Sequence, residues 1–209
     1  MSTRNLPSAG CLLLSVLLTA GCATTPPSTF YTLTPIPEAG SRSAPLKDGG
    51  IAVGLGPIEF PEFLERPQIV SRAGVNRLDL DEFHRWGGSL QDEFLRVTGE
   101  NLAHLLGTSR IQVYPADVRF PLDYRVIADV LSFEGNTNGE AVLRVRWAVL
   151  DPYQEQARVV RENAYRKRAG GPGQEAMIAA LSETVGEFSR DLANELRRLP
   201  KIKPLATDF

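Results

Sequence analysis

The sequence predicts an α+β fold: a two-layer sandwich in which a largely antiparallel sheet carries two long amphipathic helices on one face. Three observations lead there. Leu90, Phe94, Val97 and Leu105 repeat at helical spacing, widened by Leu95, Leu102 and Leu106. A second stripe runs Met177, Leu181, Val185, Phe188, Leu192, Leu196 and Leu199. Between them, Ala141, Leu143, Val145, Trp147 and Val149 share one face of a strand whose other face carries Arg144 and Arg146. A sheet with one greasy and one charged face is covered on one side only, and two amphipathic helices are the natural cover.

The chain begins with a polar start, an apolar stretch from Cys11 to Leu18 and the run Leu18-Thr19-Ala20-Gly21-Cys22. Small residues at a cut after a short apolar segment make a secretory signal over residues 1–21. The stretch is too short to span a bilayer, which takes about 20 residues. A cysteine immediately after the cut gives it the form of a bacterial lipobox, with Cys22 as the lipidation site. Such a cysteine carries a covalent diacylglycerol and an N-acyl lipid. Two or more acyl chains anchor a protein stably where one does not, at roughly 0.8 kcal/mol per buried CH₂.

Removing residues 1–21 from the 209 leaves 188, enough for one domain with a core of its own. It also removes Arg4, so 22 basic residues face 25 acidic ones, a net charge of −3. No concentrated basic surface calls for a nucleic-acid partner. Cys11 leaves with the signal and Cys22 takes the lipid, so no cysteine remains for a disulfide, a thiolate nucleophile or a zinc site. Residues 22–28 read as the lipidated cysteine and a Thr/Pro/Ser tether, 29–200 as a single domain and 201–209 as a tail.

Within the domain, Thr29 to Leu33 is β-prone and stops at Pro35, and Pro37 to Gly50 is a loop. Ile51 to Ile58 reads as a strand weakened by Gly54 and Gly56. A segment bounded by Pro61 and Pro67 then precedes a hairpin, Gln68–Arg72 and Arg77–Leu80, turning at Gly74-Val75-Asn76. Ser89, with Asp92 three residues on, starts the first helix as a capping box, and Gly107 suits its left-handed end. After a short strand at Ile111–Tyr114 come strands from Tyr124 to Phe133, Ala141 to Leu150 and Ala157 to Lys167. Turns at Asn138-Gly139 and Asp151-Pro152 link them. The last helix runs from about Gln174 to Leu199, and Pro200 stops it.

Chemistry-bearing patterns are few. Gly54-Leu55-Gly56 places Glu59 where a dinucleotide fingerprint needs its third glycine, and Pro57 and Pro61 forbid the helix that should follow. His84 and His104 have no partner at metal-ligand spacing, so no metal, catalytic or cofactor residue is assigned. His84 beside Asp79, Asp81 and Glu82 has the residue types of an acid/base cluster, but a solvated strand end is the better reading, since such pairs become catalytic only through burial and partner geometry. Ser182 and Ser189 fall on a helical polar face with no nucleophile elbow around them. The expectation is that the protein is not an enzyme. The basic run Arg161, Arg166, Lys167 and Arg168 reads as an edge strand charged against unwanted pairing, with contact to phospholipid head groups or an acidic partner as the alternative. Phe60, Phe63 and Leu64 cluster beside Arg66, Gln68 and Arg72, an aromatic-plus-arginine mix of the kind enriched at interfaces. The competing reading has Phe63 and Leu64 filling the core edge and Arg66 pairing with a local carboxylate.

Three stretches together resemble the ABC-type transport auxiliary lipoproteins, the PqiC-like (YmbA-like) group. They are Tyr31-Thr32-Leu33 soon after the lipobox, Ile51 to Ile58 leading into Pro61 to Arg72, and Arg85-Trp86 running into Leu90 and the Asn101–Leu106 helix end. The run Arg66-Pro67-Gln68-Ile69-Val70 is the most specific. Phe63 stands where the family often has tyrosine. The resemblance implies a non-catalytic lipoprotein subunit of an envelope lipid transport system. It would work with an MCE-domain protein and its permease complex, with its domain facing the periplasm. The resemblance leaves room for a homo-oligomer. By analogy with lipoprotein sorting, Ala23 in place of Asp after the cysteine favours the outer-membrane bilayer. An outer-membrane lipoprotein cofactor for cell-wall synthesis or outer-membrane biogenesis would share the same lipobox, tether and domain.

Overall fold

The computed structural model describes residues 26–37, 50–116 and 120–200. Cys22, the rest of 1–25, the loop residues 38–49 and the tail 201–209 lie outside the described residues. The strongest sequence pattern builds the largest part of the sheet: β6 (Tyr124–Asn136), β7 (Glu140–Leu150) and β8 (Ala157–Arg168) form an antiparallel meander. Its turns have the chemistry the sequence announced. Asn136 Oδ1 accepts the N–H groups of Asn138 and Glu140 at 2.9 and 3.1 Å, and Gly139 takes φ 74°. Asp151 Oδ1 accepts those of Tyr153 and Gln154 at 2.8 and 3.1 Å.

The other half of the sheet splits. β2 (Val53–Glu59) runs parallel to the first half of β6, from Val53 opposite Tyr124 to Glu59 opposite Asp129. β3 (Gln68–Arg72) runs parallel to the end of the same strand edge, with Ser71 opposite Gly135 and Arg72 opposite Asn136. β5 (Ile111–Val113) lies outside β2. β4 (Leu78–Trp86) lies outside β3, and β1 (Thr29–Tyr31) outside β4. The eight-stranded sheet is therefore mixed: its long ladders are antiparallel, and the parallel pairings are short. Parallel neighbours need a crossover, and α1 (Leu90–Leu106) helps to supply it between β2 and β5.

α1 and α2 (Gln174–Arg198) cover one face. Ser89 Oγ accepts the Asp92 N–H at 3.3 Å and Gly107 closes α1 at φ 64°. Phe94 of α1 meets Phe133 and Phe188 with ring centroids 5.7 and 6.0 Å apart, and Trp147 meets Phe188 at 6.3 Å. Asn101 of α1 meets Ser189 of α2 and, further along both, Arg197 donates to the Leu105 carbonyl, so the helices run in the same direction. Gly99, unfavourable in a helix on propensity alone, lets β5 come close: a Cβ there would sit 3.2 Å from Val113 Cγ2.

Residues 32–37 form a strap across both helices, a feature the sequence pattern did not show. Leu33 is buried. The N–H of Thr34 donates to Ser182 Oγ at 3.1 Å and that of Ile36 to Asn101 Oδ1 at 2.7 Å. Asn101 Nδ2 in turn donates to Ser189 Oγ at 3.2 Å. This corrects the reading of Ser182 and Ser189 as polar-face residues. Both are buried, and each hydroxyl donates to the carbonyl four residues back.

Candidate docking groove

The segment between β2 and β3 leaves the sheet where it forks. Pro61 begins a single 3-10 turn, Glu62–Leu64, with the Leu64 N–H on the Pro61 carbonyl at 2.8 Å. The chain returns at Pro67, whose carbonyl accepts the Trp86 N–H at 2.7 Å. The two prolines cannot donate to a ladder, so neither can extend a strand across the gap. Between this segment and the start of α1 lies a groove of about 440 Å³. Phe60, Leu64, Pro67 and Leu90 give it apolar surface; Glu65, Arg66, Ser89 and Gln91 give it polar surface. Gln91 pins the helix start to the sheet, its Nε2 donating to the Ile58 carbonyl at 2.7 Å.

The structure divides the six residues singled out here. Phe60 and Leu64 are buried, and Phe60 meets the Phe94 ring edge-on at 5.4 Å. Phe63 is half-buried against the same core. Phe60 and Leu64 therefore form the wall and root of the groove, whereas Phe63 packs on the core outside its lining. Arg66 is half-buried, and its Nε is buried with no hydrogen-bond partner among the described residues. No carboxylate there stands within ion-pair distance of it. Gln68 sits at the start of β3 opposite Arg85. Arg72 is elsewhere, on the uncovered face, with its Nε 2.7 Å from buried Glu134.

Other clusters resolve into frame contacts. Asp81 and His84 lie within β4 rather than at its end; both stay about a third exposed and Asp79 and Glu82 more so, so the cluster is solvated as expected but not at a strand end. The register jumps from Gln68 opposite Arg85 to Ile69 opposite Asp81, leaving Glu82, Phe83 and His84 as a bulge. Asp81 closes it, accepting from the N–H groups of Phe83 and His84 at 3.0 Å each, from His84 Nδ1 at 2.8 Å and from Gln174 Nε2 at 3.3 Å. Burial alone would raise the Asp81 carboxyl, but these donors outweigh it and hold the group below the usual carboxylate range. The basic run on β8 divides between the two sides of the strand. Lys167 pairs with Glu187 of α2 at 2.6 Å and Arg161 approaches Glu195 at 4.0 Å, while Arg166 faces the other way. Among the described residues no group of three or more His, Cys, Asp and Glu side chains is placed to hold a metal, and no helix is long and apolar enough to cross a membrane.

By architecture the chain is an α+β sandwich with a groove at the fork of its mixed sheet. It belongs to the ABC-type transport auxiliary lipoprotein family, whose family model matches residues 31–193. No curated protein matches it. Among solved structures, a protein described as uncharacterized superposes with a TM-score of 0.66 at 17% identity, covering 82% of this chain and 99% of that one. A DUF330 protein from Xanthomonas campestris gives 0.65 at 14% identity, covering 79% and 93%. At these identities the likeness is one of fold. The family match takes in the Arg66–Val70 run that carries the resemblance in the sequence, and so includes the groove.

Proposed function

We propose that the protein is a non-catalytic, outer-membrane-anchored lipoprotein subunit of an MCE-type, ABC-driven envelope lipid transport system, and that the fork groove docks the periplasmic MCE assembly. The lipid on Cys22 supplies the address, residues 23–28 the reach and the sandwich a rigid surface. The observation that carries this reading is Arg66. A buried guanidinium donor without a partner is costly in an isolated domain, and arginine in a pocket with apolar walls is a common interface anchor. Phe60, Leu64 and Leu90 would exclude water around it, which strengthens any hydrogen bond made there.

The test is co-purification of the tagged, lipidated chain from envelopes solubilised in mild detergent. Recovery of an MCE-domain protein with its permease is the expected outcome. Recovery of a cell-wall synthase in its place would contradict the transport reading and favour a synthase cofactor.

A further inference from the structure

The uncovered face of the sheet brings together three arginines that lie far apart in the sequence. Glu134, Val142 and Arg166 form one rung across β6, β7 and β8, and Ser132, Arg144 and Ala164 form the next. β3 ends against the same edge of β6, with Arg72 opposite Asn136. The three arginines border a concavity of about 420 Å³ whose lining includes Leu131, Ser132 and Val142.

The charge there is unbalanced. Glu134 is the one carboxylate in the lining, and it is only 4% exposed. One of its oxygens is held by Arg72 Nε at 2.7 Å and the other by the Phe133 N–H at 2.8 Å. Arg144 reaches Glu162 at 3.2 Å, but Glu162 is shared with Arg146 at 3.1 Å. Arg166 is exposed and makes no ion pair among the described residues. Ser132 Oγ likewise has no hydrogen-bond partner among them. Like charges on adjacent strands repel, and a bound anion would relieve that repulsion. Guanidinium forks match the oxygens of a phosphate in a way that a single small anion such as chloride does not exploit.

We propose that this concavity is a seat for a phosphate group, with Arg166 and Arg144 as its charged donors, Ser132 as a hydroxyl donor and Arg72 as the cation held in place behind them by Glu134. The space exceeds what the anion alone fills, so a phosphate ester substituent fits beside it.

The test is calorimetric titration of the full mature chain in a neutral detergent with three probes: inorganic phosphate, glycerophosphoglycerol and glycerol. Saturable binding of a phosphate-bearing probe, weakened by added salt and reduced roughly tenfold in Arg166→Gln, is the expected result. Arg161→Gln, on the helix side of the same strand, should leave it unchanged. Binding of inorganic phosphate would assign a free-anion seat; binding of glycerophosphoglycerol alone would assign a lipid headgroup seat, and either supports the proposal. Arg166 is exposed, so the variant should keep the parent melting temperature. Absence of binding by both phosphate probes, equal binding of glycerol, or binding indifferent to Arg166→Gln would overturn it.

Discussion

The β6–β8 meander and the forked half, β1–β5, share one sheet and one helical cover, yet they are held in different ways. The meander rests on long antiparallel ladders between sequence neighbours, with turns closed by Asn136 and Asp151. The forked half rests on short parallel pairings between distant segments, a bulge closed by Asp81, and a strap read by Asn101 and Ser182. A continuous ladder leaves no gap for a partner, whereas a split one does. The fork supplies the groove, and the meander supplies the frame that keeps its walls in place.

Substitutions can break that contrast, and the largest effect belongs to the layer both halves share. Phe188→Ala removes a fully buried ring that touches Phe94, Trp147 and Tyr165. It should cost about 3–5 kcal/mol, read as a lowered denaturant midpoint. Asp81→Ala removes the acceptor shared by the partly exposed donors of the β4 bulge and should cost roughly 0.5–1.5 kcal/mol. Its pH dependence sharpens the point. The Asp81 pKa is lowered on folding, so its contribution is present above the unfolded value of about 3.9. That contribution is lost as pH falls through the lower folded value. Asp81→Asn should therefore narrow its stability gap to the parent on acidification, as urea titrations across that range would show.

Ser182→Ala takes the acceptor from the Thr34 N–H and tests whether the strap is held by specific contacts. About 1 kcal/mol of destabilisation is expected, with faster amide exchange at Thr34 than at β7. Equal protection in the variant and the parent would show that the Ser182 bond adds nothing to what Leu33 burial and the Asn101 contact already supply.

The same contrast decides what could be read from the sequence. Alternating Leu143, Val145, Trp147 and Val149 and the helical stripes record local periodicity, so the meander and both helices were legible nearly to their ends. The Ser89 cap and the Gly107 terminus were legible for the same reason. The fork was not, because nothing local in Val53–Glu59 or Gln68–Arg72 says that both must share one edge of β6. Ser182 and Ser189 read as solvated because their partners are distant in the chain: the strap at Thr34, 148 positions before Ser182, and Asn101 of α1, 88 positions before Ser189. For the candidate site, the prolines at 61 and 67 marked the segment, but only the packing shows that Phe60 and Leu64 face inward while Arg66 Nε finds no partner among the described residues. Arg72 looked like a neighbour of Arg66 in sequence; five residues of β3 carry it to a different surface.

The smallest expected change in stability accompanies the largest in binding, and that pairing tests the central claim most directly. Arg66→Ala removes a buried donor that has no partner among the described residues. The melting temperature should not fall, because the substitution breaks no hydrogen bond among the described residues and removes an unpaired buried donor. Affinity for the purified MCE-domain partner should fall by a few kcal/mol, as when a hydrogen-bonded interface arginine is lost. A drop of several degrees in melting temperature with unchanged binding per folded molecule would contradict the account: Arg66 would then brace the fork, and the docking surface would lie elsewhere.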